Sequence, residues 1–513
     1  MNKRSSLPTS RGTVALAVVA TAAIALTGCT AGAESGSAAP STDTIRVAIT
    51  GDPTTFAPHL GRNINDYDFS RLLFDNLISR GPDNALVPSL ASEWGITPTG
   101  GVFTIRDDAT CADGTPITPT VVANSLNFFQ NPENRAGFRQ EAMGPGEVTV
   151  TADDAAGTVS IELSQAWTDL LQGLTLAGTG IVCPAGLEDP EGLAAGTVEA
   201  AFSGPYTLTK SQPGVGYEFT LREDYDVAPE TESALKGAVP TTIDAAINAN
   251  SSSVSNELLT GTKDVATIMG KDLARFENES TVTAQLFPQA TTYVIFNERP
   301  GSPFEDPELR KAVAMAIDRK AYMQAMSGGV GEPYVSFAPP GIECATTDAE
   351  LTIGQDLDAA KELLSGVSIT FPGLNIIGPN GSGNSYVAEA LREVGADVTH
   401  ENTDIGTWAT VIDTEPENWD LTIYGALNSG GTMNGVIAPF IGVASENGGR
   451  NITGSVAPEI ETLAAEAMTL VPGDERCGVY ESVQEIAMAD AHAIPLGPQS
   501  AMAVSRNGFS VEV

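Results

Sequence analysis

Residues 296–319 read FNERPGSPFEDPELRKAVAMAIDR. The apolar run TTYVIF leads into this stretch and reads as a strand. Pro303 and Pro307 then punctuate the start of a helix that carries Leu309, Val313 and Ile317 on one face. The same strand-then-helix rhythm extends outward in both directions. TIRVAIT (44–50) alternates as a strand and opens the globular part. DYDFSRLLFDNLISRG has Phe69, Leu72, Leu73, Asn76 and Leu77 at helical spacing and stops at Gly81. GGVFTIRDDATCADGTPITPTVVANSLNFFQN reads as a strand, an Asp-Gly turn and a helix begun through Thr118-Pro119-Thr120, and GTVSIEL reads as another strand. Towards the C-terminus, SITFPGLNIIG with its helix, GADVTHE and WDLTIYG alternate as an α/β unit does. There is no internal repeat.

The N-terminus points to export. Lys3, Arg4 and Arg11 precede an apolar run, Val14 to Leu26, that is too short to span a bilayer stably. The run ends in Leu26-Thr27-Gly28-Cys29, which resembles a bacterial lipobox, so Cys29 is the expected lipidation site and residues 1–28 the signal peptide. Residues 29–43, rich in Ala, Gly, Ser and Thr, form a flexible tether. The expected location is outside the cell, anchored by lipid to the outer face of the membrane.

The chain has a formal net charge of −39, and loss of the signal removes three positive charges more. Nothing in it offers the basic patch that nucleic acid requires. About 470 residues follow the tether, enough for two or three domains. With Cys29 lipidated, Cys111, Cys183, Cys344 and Cys477 remain. That is an even number in an oxidising compartment, with spacings too long for zinc ribbons and three possible connectivities.

LNIIGPNGSGNSYVAEALREVGADV (374–398) looks like a nucleotide loop. Leu374–Ile377 reads as a strand, Gly378 and Gly383 bracket four residues, and Tyr386 onward reads as a helix. Asn384, however, stands where the phosphate-neutralising Lys belongs, so the charge interaction is missing. The loop is better read as a tight turn, with Gly378, Gly381 and Gly383 free to take positive φ. Catalysis has as little support. His59, His400 and His492 are the only histidines, and neither a His-x-x-x-His pair, a Cys-x-x-Cys pair nor a Gly-x-Ser-x-Gly elbow occurs. No catalytic residue, metal ligand or cofactor is therefore assigned, and the chain reads as no enzyme. A cell-surface hydrolase is the alternative from a different class, because abundant carboxylates never exclude glycoside chemistry.

Three stretches resemble one family: NALVPSLASEWGITPTGGVFTIRDDATCADGTPITPTVVANSLNFF (84–129), SGPYTLTKSQPGVGYEFTLREDYD, and the FN…PF.D…R.A…AIDR pattern of residues 296–319. The family is the solute-binding proteins of the oligopeptide, dipeptide and nickel type (family 5) that serve ABC importers, and the likeness runs from about residue 44 to the C-terminus. It implies an α/β, two-lobe periplasmic-binding-protein-like fold of type II, hinged on crossover strands, with an extra subdomain in lobe I. On this chain lobe I covers 44–290, with the subdomain at about 83–200. Lobe II covers 291–490, and 491–513 returns to lobe I. Phe287–Phe296 and Ala493–Pro498 become the crossovers, and ligand lies between lobes that close over it. Implied partners are a small solute, most of all a peptide or peptide-like molecule, and the transmembrane subunits of an ABC permease, with the protein a monomer. Sugars and metal chelates are alternative ligands. Pairing within lobes, Cys111 with Cys183 and Cys344 with Cys477, keeps such a hinge free.

Peptide-binding relatives follow a lobe II strand of this type with an Asp that pairs with the peptide's free amine. Here the strand leads to Asn428 and Ser429, which hydrogen-bond but bring no charge. Asp404, Asp66 and Asp68 are substitute carboxylates. The loop after the first strand should bring Phe56, His59, Asn63 and Tyr67 to the cleft from lobe I, and Trp408 should reach it from lobe II. These five, with Asn428 and Ser429, are the candidate ligand contacts. Arg310 and Arg319 read as structural, satisfied locally by Glu308 and Asp318.

Overall fold

The structure is a computed structural model, and it describes residues 42–81, 85–225, 237–427, 430–447 and 449–511. Its spine is a sheet of eight strands. In spatial order these are Leu421–Ala426, Thr283–Phe296, Ala493–Ser505, Val265–Met269, Thr44–Ile49, Thr242–Ile247, Gly216–Leu221 and Tyr206–Gln212. Thr44–Ile49 runs parallel to Thr242–Ile247 in a six-residue register and touches Val265 on its other side. A separate four-stranded sheet, Ala91–Thr97, Gly100–Ile105, Thr158–Leu163 and Val148–Asp153, is packed by helix Pro119–Gln130. Two parallel strands, Ser368–Leu374 and Asp397–Thr403, carry the α/β unit expected near the C-terminus.

Thr283–Phe296 and Ala493–Ser505 are the mechanical centre. They pair antiparallel from Thr283↔Ser505 to Ile295↔Ala493, with register shifts between Pro288 and Ala290 and between Thr292 and Tyr293. One end of this ribbon joins Val265–Met269 and the other joins Leu421–Ala426. Pro288 removes a backbone donor where the ladder first slips, so the ribbon is softest between its two sheet contacts. The lobe containing Thr44–Ile49 and the lobe containing Leu421–Ala426 meet at this ribbon. Mixed α/β layers arranged this way form a two-lobe fold.

Several local expectations are corrected. The helix after the first strand spans Ile64–Leu73 and does not reach Gly81. Phe74 turns extended, and Leu77 and Ile78 enter the core as the chain starts the short strand Ile78–Arg80. The helix after Pro307 is two helices, Pro307–Ala316 and Arg319–Ser327. Ile317 is extended between them, and Asp318 caps the second by accepting from the N–H groups of Lys320 and Ala321. The strand before the glycine loop ends at Leu374. Gly378 and Gly381 have φ of 76° and 71°, and Asn380 joins them at 54°, but Gly383 lies inside helix Ser382–Glu393.

Asn384 is fully buried, and its side-chain amide donates to the Leu374 carbonyl and to Asn402 Oδ1. The residue in the lysine position of a phosphate loop is thus a tie between strand and helix. Arg310 pairs with Glu298 and donates to the carbonyls of Phe304 and Asp490, and Arg319 donates to the Tyr334 carbonyl. Glu308 pairs instead with Lys311. Among the described residues no helix is long and apolar enough to cross a membrane.

Disulfides join Cys111 to Cys183 and Cys344 to Cys477. The first lies beside the four-stranded sheet, and the second ties a loop to helix Asp474–Ala489. Glu343 lies near the second pair, but both sulfurs are used in the disulfide, so this cluster is no metal centre.

Candidate ligand-binding cleft

The expected lobe I contacts are mostly structural. Phe56 is buried against Phe69 and Tyr217 in the apolar core under the sheet. His59 sits edge-on to Phe128, and burial lowers its pKa from 6.5 to about 4. Asn63 caps helix Ile64–Leu73 by accepting from the N–H of Asp66, whose carboxylate answers as a capping box. Asp66 also accepts from Thr54, so two of its roles are local.

Tyr67 is placed differently. Its ring meets Phe138 edge-on at 5.8 Å, and Arg450 lies over the other aromatic at 5.7 Å. Burial, together with the charges of Asp66 and Glu141, pushes the Tyr67 hydroxyl up to about 12. From the second lobe, Trp408 lies within helix Ile405–Thr414 and donates to Thr422 Oγ1. It stacks on Tyr424, with 6.3 Å between ring centroids. Asn428 and Ser429 lie outside the described residues.

Sequence reasoning missed charged groups that join distant parts of the chain. Glu141, on helix Arg139–Met143, pairs with Arg450. Asp169, at the start of helix Leu170–Gly173, pairs with Arg476 on helix Asp474–Ala489. Both members of the second pair are 3 % exposed. Arg80 donates across the same seam to the Gly430 carbonyl.

Burial pushes the Glu141 carboxyl above its ordinary value, against the pull of Arg450 and the Gly430 N–H. Burial works against charge on Arg476, but the neighbouring Asp169 carboxylate outweighs it, so the guanidinium is held above its ordinary value. A sequence signal for Asp169 existed: it is the only charged residue from 163 to 187.

Two cavities flank this seam. One of about 340 Å³ is lined by Arg80, Asp169, Gln172, Thr432, Arg476 and Tyr480 among others. The other, about 150 Å³, lies against Glu141, Trp167, Asn434 and Arg450. Gly431, Thr432 and Met433, just beyond the expected amine-recognition loop, border the larger one. Buried polar atoms on its lining side chains have no protein partner: Asp169 Oδ2, Gln172 Oε1, Arg476 Nε and Nη1, and Tyr480 Oη. Polar groups removed from water without partners are costly unless something else satisfies them.

A hinged ribbon, two lobes and a charged, partly hollow seam define a solute-binding protein. Residues 85–446 match the family described as "Bacterial extracellular solute-binding proteins, family 5 Middle", and the chain belongs to that family. In fold it is similar to a substrate-binding protein of Microbacterium hydrocarbonoxydans complexed with 4-hydroxybenzoate hydrazide. The two are 40 % identical with a TM-score of 0.83, over 92 % of this chain and 97 % of that one. It is 24 % identical to the periplasmic murein peptide-binding protein MppA of Escherichia coli, over 87 % of this chain and 86 % of that protein. It is 25 % identical to probable di/tripeptide-binding protein 5 of Pseudomonas aeruginosa, but that likeness spans only 42 % of each. All three are binding proteins by name.

Proposed function

We propose that this chain captures a small solute, a peptide or peptide-like molecule, between its lobes and delivers it to an ABC permease. The observation that carries this reading is the seam itself: a cavity of about 340 Å³ closed by charged groups from both lobes of a family 5 chain. Relatives named for di- and tripeptides and for murein peptide favour peptide chemistry, and the hydrazide complex of the Microbacterium protein favours compact peptide-like solutes. Lobe I is 44–290 with the return 491–513, lobe II is 291–490, and the subdomain is about 83–200. Tyr67, Trp408, Asn428 and Ser429 contact ligand. The protein acts as a monomer, without catalysis, held at the outer membrane face through Cys29.

A thermal-shift panel of peptides, sugars and chelates on the purified protein tests the capture reading. A shift without turnover of the ligand is expected. Silence across the panel sinks it, and hydrolysis of a hit favours a surface hydrolase. Mass spectrometry of membrane-extracted protein tests the anchor, which an unmodified Cys29 excludes.

A further inference from the structure

We infer that the cavity lined by Asp169, Gln172, Arg476 and Tyr480 is a subsite for a neutral carboxamide-type group of the ligand. Such a group carries a carbonyl oxygen and an N–H on one small unit. The inference rests on the proposed capture function and names the substrate class: a solute presenting a peptide bond, a primary amide or a hydrazide. Asp169 and Arg476 are each 3 % exposed and meet through a single contact, Nη2 with Oδ1. A carboxylate and a guanidinium can share two parallel bonds, so one bonding edge of each ion is left over here. Asp169 Oδ2, Arg476 Nε and Arg476 Nη1 are buried and have no hydrogen-bond partner in the protein. Gln172 Oε1, on the helix that Asp169 begins, is a further buried atom without one.

The leftover set is mixed. Asp169 Oδ2 and Gln172 Oε1 accept, whereas Arg476 Nε and Nη1 donate. Tyr480, whose ring centroid lies 5.4 Å from the guanidinium carbon, adds a hydroxyl able to do either. Burial, with the charge of Asp169, holds that hydroxyl above its ordinary pKa, so it keeps its proton. A carboxylate only accepts and an ammonium only donates, so each would leave half of the set unpaired where that is costly. A carboxamide does both: its oxygen accepts from the guanidinium, and its N–H donates to Asp169 or Gln172. Being neutral, it also leaves the Asp169–Arg476 charge balance undisturbed. At about 340 Å³ the cavity falls within the range of small-molecule sites, roughly 300–1,000 Å³, and exceeds what one bridging water fills. Arg80, on the same lining, is engaged with Thr175 Oγ1 and the Gly430 carbonyl and is no part of this set.

The test is isothermal calorimetry on the purified protein with two matched sets of probes. One is 4-hydroxybenzamide, 4-hydroxybenzoate and its methyl ester; the other is phenylacetamide, phenylacetate and its methyl ester. In every set that binds, the amide should be held at least about tenfold more tightly than the acid and the ester. Gln172→Met keeps the side-chain length but removes the acceptor. It should cut the amide's advantage by about threefold or more, while the thermal midpoint of the ligand-free protein stays level or rises. Equal or tighter binding of the acid or the ester overturns the assignment, as does an amide advantage that Gln172→Met and Tyr480→Phe both leave intact. Failure of every probe overturns it too, water alone then satisfying the buried polar atoms. If the wider panel still yields a ligand in that case, the capture function stands without this subsite.

Discussion

Asn384 shows how one side chain decides between two readings of a loop. Its amide satisfies a strand-end carbonyl and Asn402 in a fully buried setting. Asn384→Leu should cost about 2 kcal/mol or more in urea-unfolding stability, because both acceptors lose their donor inside the protein. His59 offers a pH test. Its folded pKa of about 4 lies below the ordinary 6.5, so the neutral ring is the folded form. The stability it contributes is present above about pH 6.5 and is lost as pH falls towards 4, by up to about 3 kcal/mol. His59→Phe should flatten the stability-versus-pH curve in that window, and an unchanged slope refutes the assignment. The carboxylates that titrate nearby act equally on both proteins, so the difference isolates the ring.

At the scale of elements, the short helices that carry the lobe I carboxylates touch through Gly173. A Cβ there would lie 2.1 Å from the Ala142 carbonyl oxygen, which is backbone and cannot swing aside. Gly173→Ala should therefore push helix Leu170–Gly173 away from Arg139–Met143 and destabilise the protein by roughly 1–3 kcal/mol, read by thermal unfolding. Ligand affinity should fall as well, because Asp169 and Glu141 shift together. The disulfides close spans of 72 and 133 residues. Replacing either pair by Ser should lower unfolding stability by about 2–4 kcal/mol under non-reducing conditions.

Strands and their order were legible in the chain because alternation survives in TIRVAIT, GTVSIEL and TTYVIF. The break at Ile317 was not, since helical spacing of Leu309, Val313 and Ile317 continues through it and only the Asp318 cap interrupts the backbone. The surroundings of Phe56 were illegible for a different reason: an aromatic in a loop has the same local signature whether it faces ligand or core.

For the whole molecule, the least legible feature was the seam. Glu141 and Arg450 are 309 residues apart, and Asp169 and Arg476 are 307 apart. No local pattern reports a pairing between residues some three hundred positions apart. Pairs that distant are also informative about motion. Asp169→Asn leaves Arg476 buried without its counter-charge, a penalty of about 3–5 kcal/mol on the arrangement that buries the pair. Small-angle scattering should then show a larger radius of gyration, and ligand affinity should weaken by more than tenfold. The double change Asp169→Asn with Arg476→Met should recover much of the closure, because no charge is left stranded.

The first strand lies in the interior of its sheet, with Thr242–Ile247 along one side and Val265–Met269 on the other. A tug transmitted along the chain into Thr44 pulls parallel to that strand. The six aligned positions shared with Thr242–Ile247 then share the load and slide as a set, instead of parting one after another as at a sheet edge. With the anchor proposed at Cys29, a pull on the chain loads this strand in shear, where a hydrogen-bonded ladder is strongest.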